Sequence, residues 1–305
     1  MDTKQSGTFD RLRFYKFTFT LKVTETIVFP FSFKGLLLRN AIKNVFVKEF
    51  EAGIVNEIFE SRISKETAEK LGIGSHPPRG YIIEDDTAPK LKYLPGDVIY
   101  FNLILIGDTI RYINMFIDAV LLLAKKYWLG RKSGFGRGSF ALESVTLNGE
   151  AVYDKEKEKL TLNSFAPLSI EYLNFDNSYK RLIINFITPT CIVPENDVKP
   201  ILINRTGDIK LFMLMLYRRL LHLQYLYCGN KEFTIDKLIH DTIKITGADL
   251  ENHIFRIGNE KFEGFTGAIE IEGIKREYVP LFLLGEQLHA GKDCSYGFGK
   301  YEILN

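Results

Sequence analysis

Apolar and polar positions alternate over part of Arg13-Phe-Tyr-Lys-Phe-Thr-Phe-Thr-Leu-Lys-Val23, the period of a half-buried strand. The next segment changes period. Over Ser32–Phe50, Phe33, Leu37, Ala41 and Val45 fall on one face of a helix, with Arg39, Asn40, Lys43 and Asn44 on another. After the Pro95-Gly96 turn, Asp97–Ile106 reads as a strand, Thr109–Lys126 as an apolar helix and Phe140–Val145 as a short strand. The second half runs in the same order. Arg181–Ile187 is a strand that Pro189 is expected to stop, and Asp208–Cys228 is a helix with Asp208 as N-cap, ending before Gly229. That helix is apolar nearly all round at Leu211–Leu216, which predicts that it is largely buried. Gly267–Glu272 is a strand, Glu277–Ala290 a helix and Tyr301–Leu304 a closing strand.

The two halves also share a local motif. Gly130-Arg-Lys-Ser-Gly-Phe-Gly-Arg-Gly-Ser-Phe140 aligns with Gly291-Lys-Asp-Cys-Ser-Tyr-Gly-Phe-Gly-Lys-Tyr301: glycine, a basic residue, then aromatic-Gly-x-Gly-x-aromatic. Each copy links an apolar helix to a short strand. Each half therefore reads β-α-β…-α-glycine loop-β, close to a split βαβ ferredoxin-like unit. The expected organisation is α+β: a first domain over 1–150, a charged connection over 151–177 that includes Tyr153–Leu160, and a second domain over 178–305.

Composition narrows the setting. The chain has 305 residues and 46% hydrophobic content, enough for a real core and too much for global disorder. The longest apolar runs, Ala119–Ala124 and Leu211–Leu216, fall far short of the roughly 18 residues a membrane span needs. No apolar signal core opens the chain, and Cys191, Cys228 and Cys294 form no CxxC, so a cytoplasmic protein without a membrane partner is expected. The net charge of +2 conceals segregation. Residues 11–48 carry +7 and residues 119–142 carry +5, leaving −10 for the remainder. Local fields of that kind suit a polyanion.

Closely spaced glycines let backbone amides approach a phosphate, and Arg131, Lys132 and Arg137 would add charge-assisted bonds. Phe135 and Tyr296 offer faces for base stacking. Nucleotide-cofactor motifs fail on order: helix precedes glycines and strand follows, the reverse of a Rossmann fingerprint, and no P-loop run exists. The RNP1 pattern fails as well, because Ser133 separates Lys132 from Gly134. No cofactor is implied. His76, His222, His240, His253 and His289 are scattered, without metal-ligand spacing. Glu84-Asp85-Asp86 reads as an acidic surface loop rather than an ion site. His222 is expected to be semi-buried, and His240 and His253 exposed in an irregular stretch over 230–262.

The run Phe265-Thr-Gly-Ala-Ile-Glu-Ile-Glu-Gly, followed by Leu284-Gly-Glu-Gln-Leu-His-Ala-Gly-Lys-Asp-Cys-Ser-Tyr-Gly-Phe-Gly-Lys-Tyr301, resembles the CRISPR repeat-cleaving endoribonuclease family of the RAMP superfamily. His76-Pro-Pro78, Tyr93-Leu-Pro-Gly96, Asn102–Gly107, the Gly130–Phe140 loop, Phe186–Thr190 and Arg218–Tyr225 match in order. The resemblance covers most of the chain from His76 onward. It implies tandem ferredoxin-like, RRM-like (βαββαβ) domains, and cleavage of CRISPR precursor RNA within its repeats. It also implies metal-independent attack by a ribose 2′-hydroxyl, leaving 2′,3′-cyclic phosphate and 5′-hydroxyl ends. Its implied partners are CRISPR repeat RNA and subunits of a CRISPR effector complex, with the chain a monomer or homodimer. Many relatives carry a histidine near the first helix, and this chain has none before His76. His289 therefore becomes the candidate acid–base group, with Lys292 as phosphorane stabiliser and Tyr296 as stacker or acid. For His289, capping of the preceding helix end is an equal reading. Lys34, Arg39, Lys43, Arg131, Lys132, Phe135, Arg137 and Lys300 are the expected RNA-binding residues. Two alternatives stay open: a non-catalytic RNA-binding RAMP subunit, and a scaffold whose glycine loops only turn the chain.

Overall fold

A computed structural model describes residues 8–73, 77–129, 138–161, 164–173, 181–193, 200–203, 205–230, 242–257 and 260–304. The chain divides into two compact units. One holds Arg13–Leu168 with Leu226–Cys228; the other holds Met1–Leu12, Ser169–Tyr225 and Gly229–Asn305.

In the first unit the alternating segment forms β1 (Phe14–Val23). It is followed by α1 (Lys34–Glu49), β2 (Tyr81–Asp85), β3 (Val98–Ile106), α2 (Ile113–Lys125) and β4 (Phe140–Leu147). The sheet order is β2-β3-β1-β4, every pair antiparallel, with Glu150–Ala151 added beside β4. That is the βαββαβ arrangement. Phe17, Phe19, Leu21 and Val23 occupy the inward positions of β1, and Phe19 stacks on Phe101 of β3 with ring centroids 4.7 Å apart. The described residues of 151–168, expected to belong to the connection, pack with this unit instead. Val152 is fully buried, and Leu168 exchanges backbone hydrogen bonds with Phe14 at 2.7 and 3.0 Å.

The first turn of α1 has no capping side chain of its own. Asp85, at the end of β2, supplies one from 51 positions away: its Oδ2 accepts from Lys34 N at 2.9 Å. A carboxylate there also complements the helix dipole. The acidic run is thus not a surface loop. Glu84 and Asp85 are 2% and 3% exposed, and Asn102 Nδ2 donates to Glu84 Oε1 at 2.7 Å.

The second unit repeats the plan with β5 (Arg181–Thr190), α3 (Thr206–Tyr227), β6 (Lys244–Ile257), β7 (Glu260–Glu272), α4 (Val279–Leu288) and β8 (Tyr301–Leu304). Its sheet order is β6-β7-β5-β8, again antiparallel. Three sequence expectations change here. Pro189 does not stop β5, because the register shifts between Phe186 and Thr190 and the missing N–H falls in that irregularity. The stretch read as irregular contains β6, which pairs along β7 over its length except at Thr246, where the register shifts. Its residues are mostly exposed, which erased the alternation that marks a strand. Asp208 is the third residue of α3 rather than its N-cap; its Oδ2 accepts from Arg205 N at 2.9 Å. The burial of α3 follows the sequence, with Ile209, Phe212, Met213, Leu216 and Leu220 all in the core. Among the described residues no helix is long and apolar enough to cross a membrane.

Candidate nucleic-acid interface

The C-terminal glycine run is woven into the second unit. α4 ends at Leu288, and His289 follows with φ 62° and ψ 162°, a conformation costing a non-glycine residue about 1–3 kcal/mol. Arg219 on α3 helps to hold it. Its Nη2 donates to Leu288 O at 3.1 Å and its Nε to His289 O at 3.2 Å, closing carbonyls that a helix end leaves open. The His289 ring is fully buried, with Nδ1 2.9 Å from Phe298 O. Ala290 N donates to Gly299 O at 2.9 Å, so the run closes on itself. Thr188 of β5 ties the far side: its Oγ1 donates to Gly297 O at 2.8 Å and accepts from Lys300 N at 2.9 Å.

These bonds change the reading of the glycines. The amides of Lys292, Tyr296, Gly297 and Gly299 donate to Cys191, Asp293, Cys294 and Pro189 carbonyls respectively, at 2.9–3.1 Å. Committed amides cannot also cradle a phosphate. Gly299 has φ +74°, and a Cβ there would overlap the Ala290 carbonyl oxygen, so close packing demands this glycine. What the loop presents outward is side chains. Lys292 and Asp293 are exposed, while Ser295, Tyr296 and Lys300 are half-buried. The Tyr296 ring lies 6.1 Å from Phe262 and 6.5 Å from Phe298, centroid to centroid. Burial pushes the neighbouring Cys191 thiol up to about 11, against the pull of Lys292.

His289, expected either as an acid–base group or as the cap of the preceding helix end, is thus a buried residue at that helix end. In this conformation its ring has no exposed surface from which to meet RNA. His222 is 5% exposed on α3, and His253 on β6 is half-buried, with Nε2 2.6 Å from Thr266 Oγ1. His76 and His240 lie outside the described residues.

The basic first helix is corrected. Lys34 is fully buried; its Nζ sits 3.0 Å from Asp86 Oδ1 and 3.6 Å from Asp85 Oδ2, and donates to Ala88 O at 2.6 Å. Arg39 is 6% exposed, with Nε donating to Tyr81 Oη at 3.1 Å. Lys43 pairs with Glu60 at 2.8 Å, and Lys16 with Glu84 at 2.9 Å. Much of the charge counted over 11–48 is thus spent inside the unit. Arg131, Lys132, Phe135 and Arg137 lie outside the described residues. No group of three or more His, Cys, Asp or Glu side chains gathers as metal ligands would among the described residues.

Arg219 and Thr188 organise the loop, yet neither stands out in the sequence. The Arg218-Arg219 pair is visible, but only the packing shows that Arg219 turns toward Leu288 and His289.

Comparison with known proteins agrees with this architecture. Residues 12–165 match the N-terminal domain AF_1859_N, and residues 184–301 match the CRISPR-associated endoribonuclease Cas6. No curated protein matches the chain. A Cas6 product complex is 17% identical over 96% of this chain and 99% of that one, with a TM-score of 0.52. Thermus thermophilus Cas6 is 15% identical over 96% and 99%, at 0.51. A partial Cas6-RT-Cas1–Cas2 complex is 14% identical at 0.57; the match covers 96% of this chain and only 46% of that longer one. At such identities the solved structures speak for the fold, tandem ferredoxin-like domains. With the match over 184–301 beside them, the first half of the chain belongs to the AF_1859_N family, and the second half is similar to the CRISPR-associated endoribonuclease Cas6.

Proposed function

We propose that this protein cleaves CRISPR precursor RNA within its repeats without a metal. The ribose 2′-oxygen attacks the adjacent phosphorus, the bond from phosphorus to the 5′-oxygen breaks, and a 2′,3′-cyclic phosphate and 5′-hydroxyl remain. The observation that carries the reading is the C-terminal glycine loop. It is braced by Arg219, His289 and Thr188 from within, while Lys292 is exposed on it and Tyr296 half-buried. Lys292 stabilises the phosphorane charge, and Tyr296 stacks on a base or protonates the leaving 5′-oxygen, with water taking the 2′-proton. His289 is a positioning residue, holding Phe298 and hence the loop. Lys300 and the segment carrying Arg131, Lys132, Phe135 and Arg137 contribute RNA contacts. A neighbour of like fold occurs in a complex with Cas1–Cas2, which supports placing the activity in a larger CRISPR assembly.

The test uses RNA of the CRISPR repeat associated with this protein, in excess EDTA, beside the same RNA carrying 2′-deoxy at the mapped cut. Cleavage that survives EDTA and stops at the deoxy position is expected. Lys292→Ala should slow it by roughly 10²–10³-fold, the worth of one stabilising group on an oxyanion. Cleavage that needs a metal, or that proceeds at the deoxy position, overturns the mechanism. The burial of His289 favours a second reading, a non-catalytic RNA-binding subunit, which predicts salt-sensitive binding with no cleavage.

A further inference from the structure

One flank of α1 is left uncovered in the first unit. Leu37, Asn40, Ala41, Asn44, Val45 and Lys48 recur in steps of three and four, which stacks them along one side of the helix. The core takes Val45 and the neighbouring stripe of Leu38, Ile42 and Phe46, leaving Leu37 and Ala41 half-buried and Asn44 and Lys48 exposed. Together with the turn after α2, this flank lines a cleft of about 490 Å³, walled opposite by Leu123, Tyr127 and Trp128. That volume lies within the roughly 300–1,000 Å³ of small-ligand sites.

The lining is a specific mixture. Ala41 and Val45 make an apolar floor. Asn40 and Asn44 set two carboxamides one turn apart above it. Asn40 Oδ1 accepts from Arg39 Nη1 at 3.1 Å, so Asn40 offers its NH2 donors, while Asn44 offers donor and acceptor together. Trp128 is 38% exposed at the rim, and Lys48 Nζ lies 4.8 Å from the Tyr127 ring centroid. A purely apolar ligand would desolvate both amides without pairing them. A simple anion would use Lys48 and ignore the rings. A nucleobase uses every part: its edge pairs with carboxamides, its face stacks on the indole, and its phosphate meets the lysine.

We infer that this cleft takes one unstacked nucleobase from single-stranded RNA. Only the source of that base, the CRISPR repeat, rests on the function proposed above.

Trp128 is the single tryptophan of the chain and reports on the cleft directly. The full-length protein is titrated with each of the four ribonucleoside 5′-monophosphates and with single-stranded RNA hexamers, following tryptophan emission. Anisotropy of labelled repeat RNA is measured in parallel. A saturable change in Trp128 emission is expected, with at least one base preferred. Asn44→Ala should weaken it about tenfold, as loss of a bidentate base contact does. Ala41→Leu, which fills the floor, should abolish the response. Asn44 is exposed, so its variant keeps the test decisive if Ala41→Leu fails to fold. Repeat RNA that binds by anisotropy while Trp128 stays silent overturns the cleft and leaves the proposed function standing. An Asn44→Ala protein that responds like wild type also overturns it. Hexamers that quench Trp128 while repeat RNA neither binds nor is cut support the cleft and remove the proposed function.

Discussion

Lys34→Met separates the cation that composition assigns to RNA from the one the structure places inside. The Nζ of Lys34 has no exposed surface and lies between Asp86 (3.0 Å) and Asp85 (3.6 Å). Burial disfavours its charge, but the Asp85 and Asp86 carboxylates outweigh that and hold its pKa above the ordinary 10.5. Burial in turn raises the Asp85 carboxyl, against the pull of Lys34. Removing one member of such a pair strands the other, at about 3–5 kcal/mol. Asp86 is 21% exposed and regains some water, so the lower end, about 3 kcal/mol, is expected. In a unit of this size each kcal/mol lowers the melting temperature by roughly 2–4 °C, giving a fall of about 6–12 °C. Calorimetry of the full chain reads this in the first unit's transition. Lys34→Met with Asp85→Asn should lose less than the two single losses combined, because the stranded charge is also removed. Since the folded pKa is the raised one, the stabilisation is complete below pH 10.5 and lost as pH climbs through the folded value. That alkaline loss should be absent from Lys34→Met. Unchanged melting together with a shallower salt dependence of RNA binding would refute the buried assignment and return Lys34 to the RNA interface.

Gly299→Ala should destabilise the second unit, because its Cβ overlaps the Ala290 carbonyl at a backbone with φ +74°. Overpacking and left-handed strain together predict a loss of about 2–5 kcal/mol in denaturant unfolding, and an unaltered midpoint would contradict the packing role. Cys191, half-buried with its thiol pushed up to about 11, should hold a thiolate fraction on the order of 10⁻³ at pH 8. Its alkylation by iodoacetamide, followed by mass spectrometry, should then run roughly 10²-fold slower than that of a free cysteine.

Periodicity carried much of the architecture. The alternation of β1, the apolar α3 and the repeated helix–glycine–strand motif all depend on neighbours within a few positions, so they can be read along the chain. Of the sheet strands, β2 and β6, each at one edge of its sheet, were not legible in this way. β2 is buried along its whole length and ends in acidic residues, and β6 is mostly exposed, so neither shows the one-sided alternation of a strand with one face in the core.

The chemistry divides in the same way. Which residue types cluster near the glycine loops was legible: Lys292, Tyr296 and the two basic stretches. Which of them meet solvent was not. Lys34 and Asp85 are separated by 51 positions, and only the sheet brings β2 against the start of α1, turning two surface-type residues into a cap and a buried ion pair. The ring of His289 is likewise fully buried, with Nδ1 beside the Phe298 carbonyl. Sequence by itself determined the repeated β-α-β…-α-glycine loop-β plan and the family resemblance, because local period and motif spacing are properties of the chain. Tertiary structure alone decided which charges are spent inside and which flank of α1 stays open, because desolvation depends on everything packed around a group and not on its neighbours in sequence.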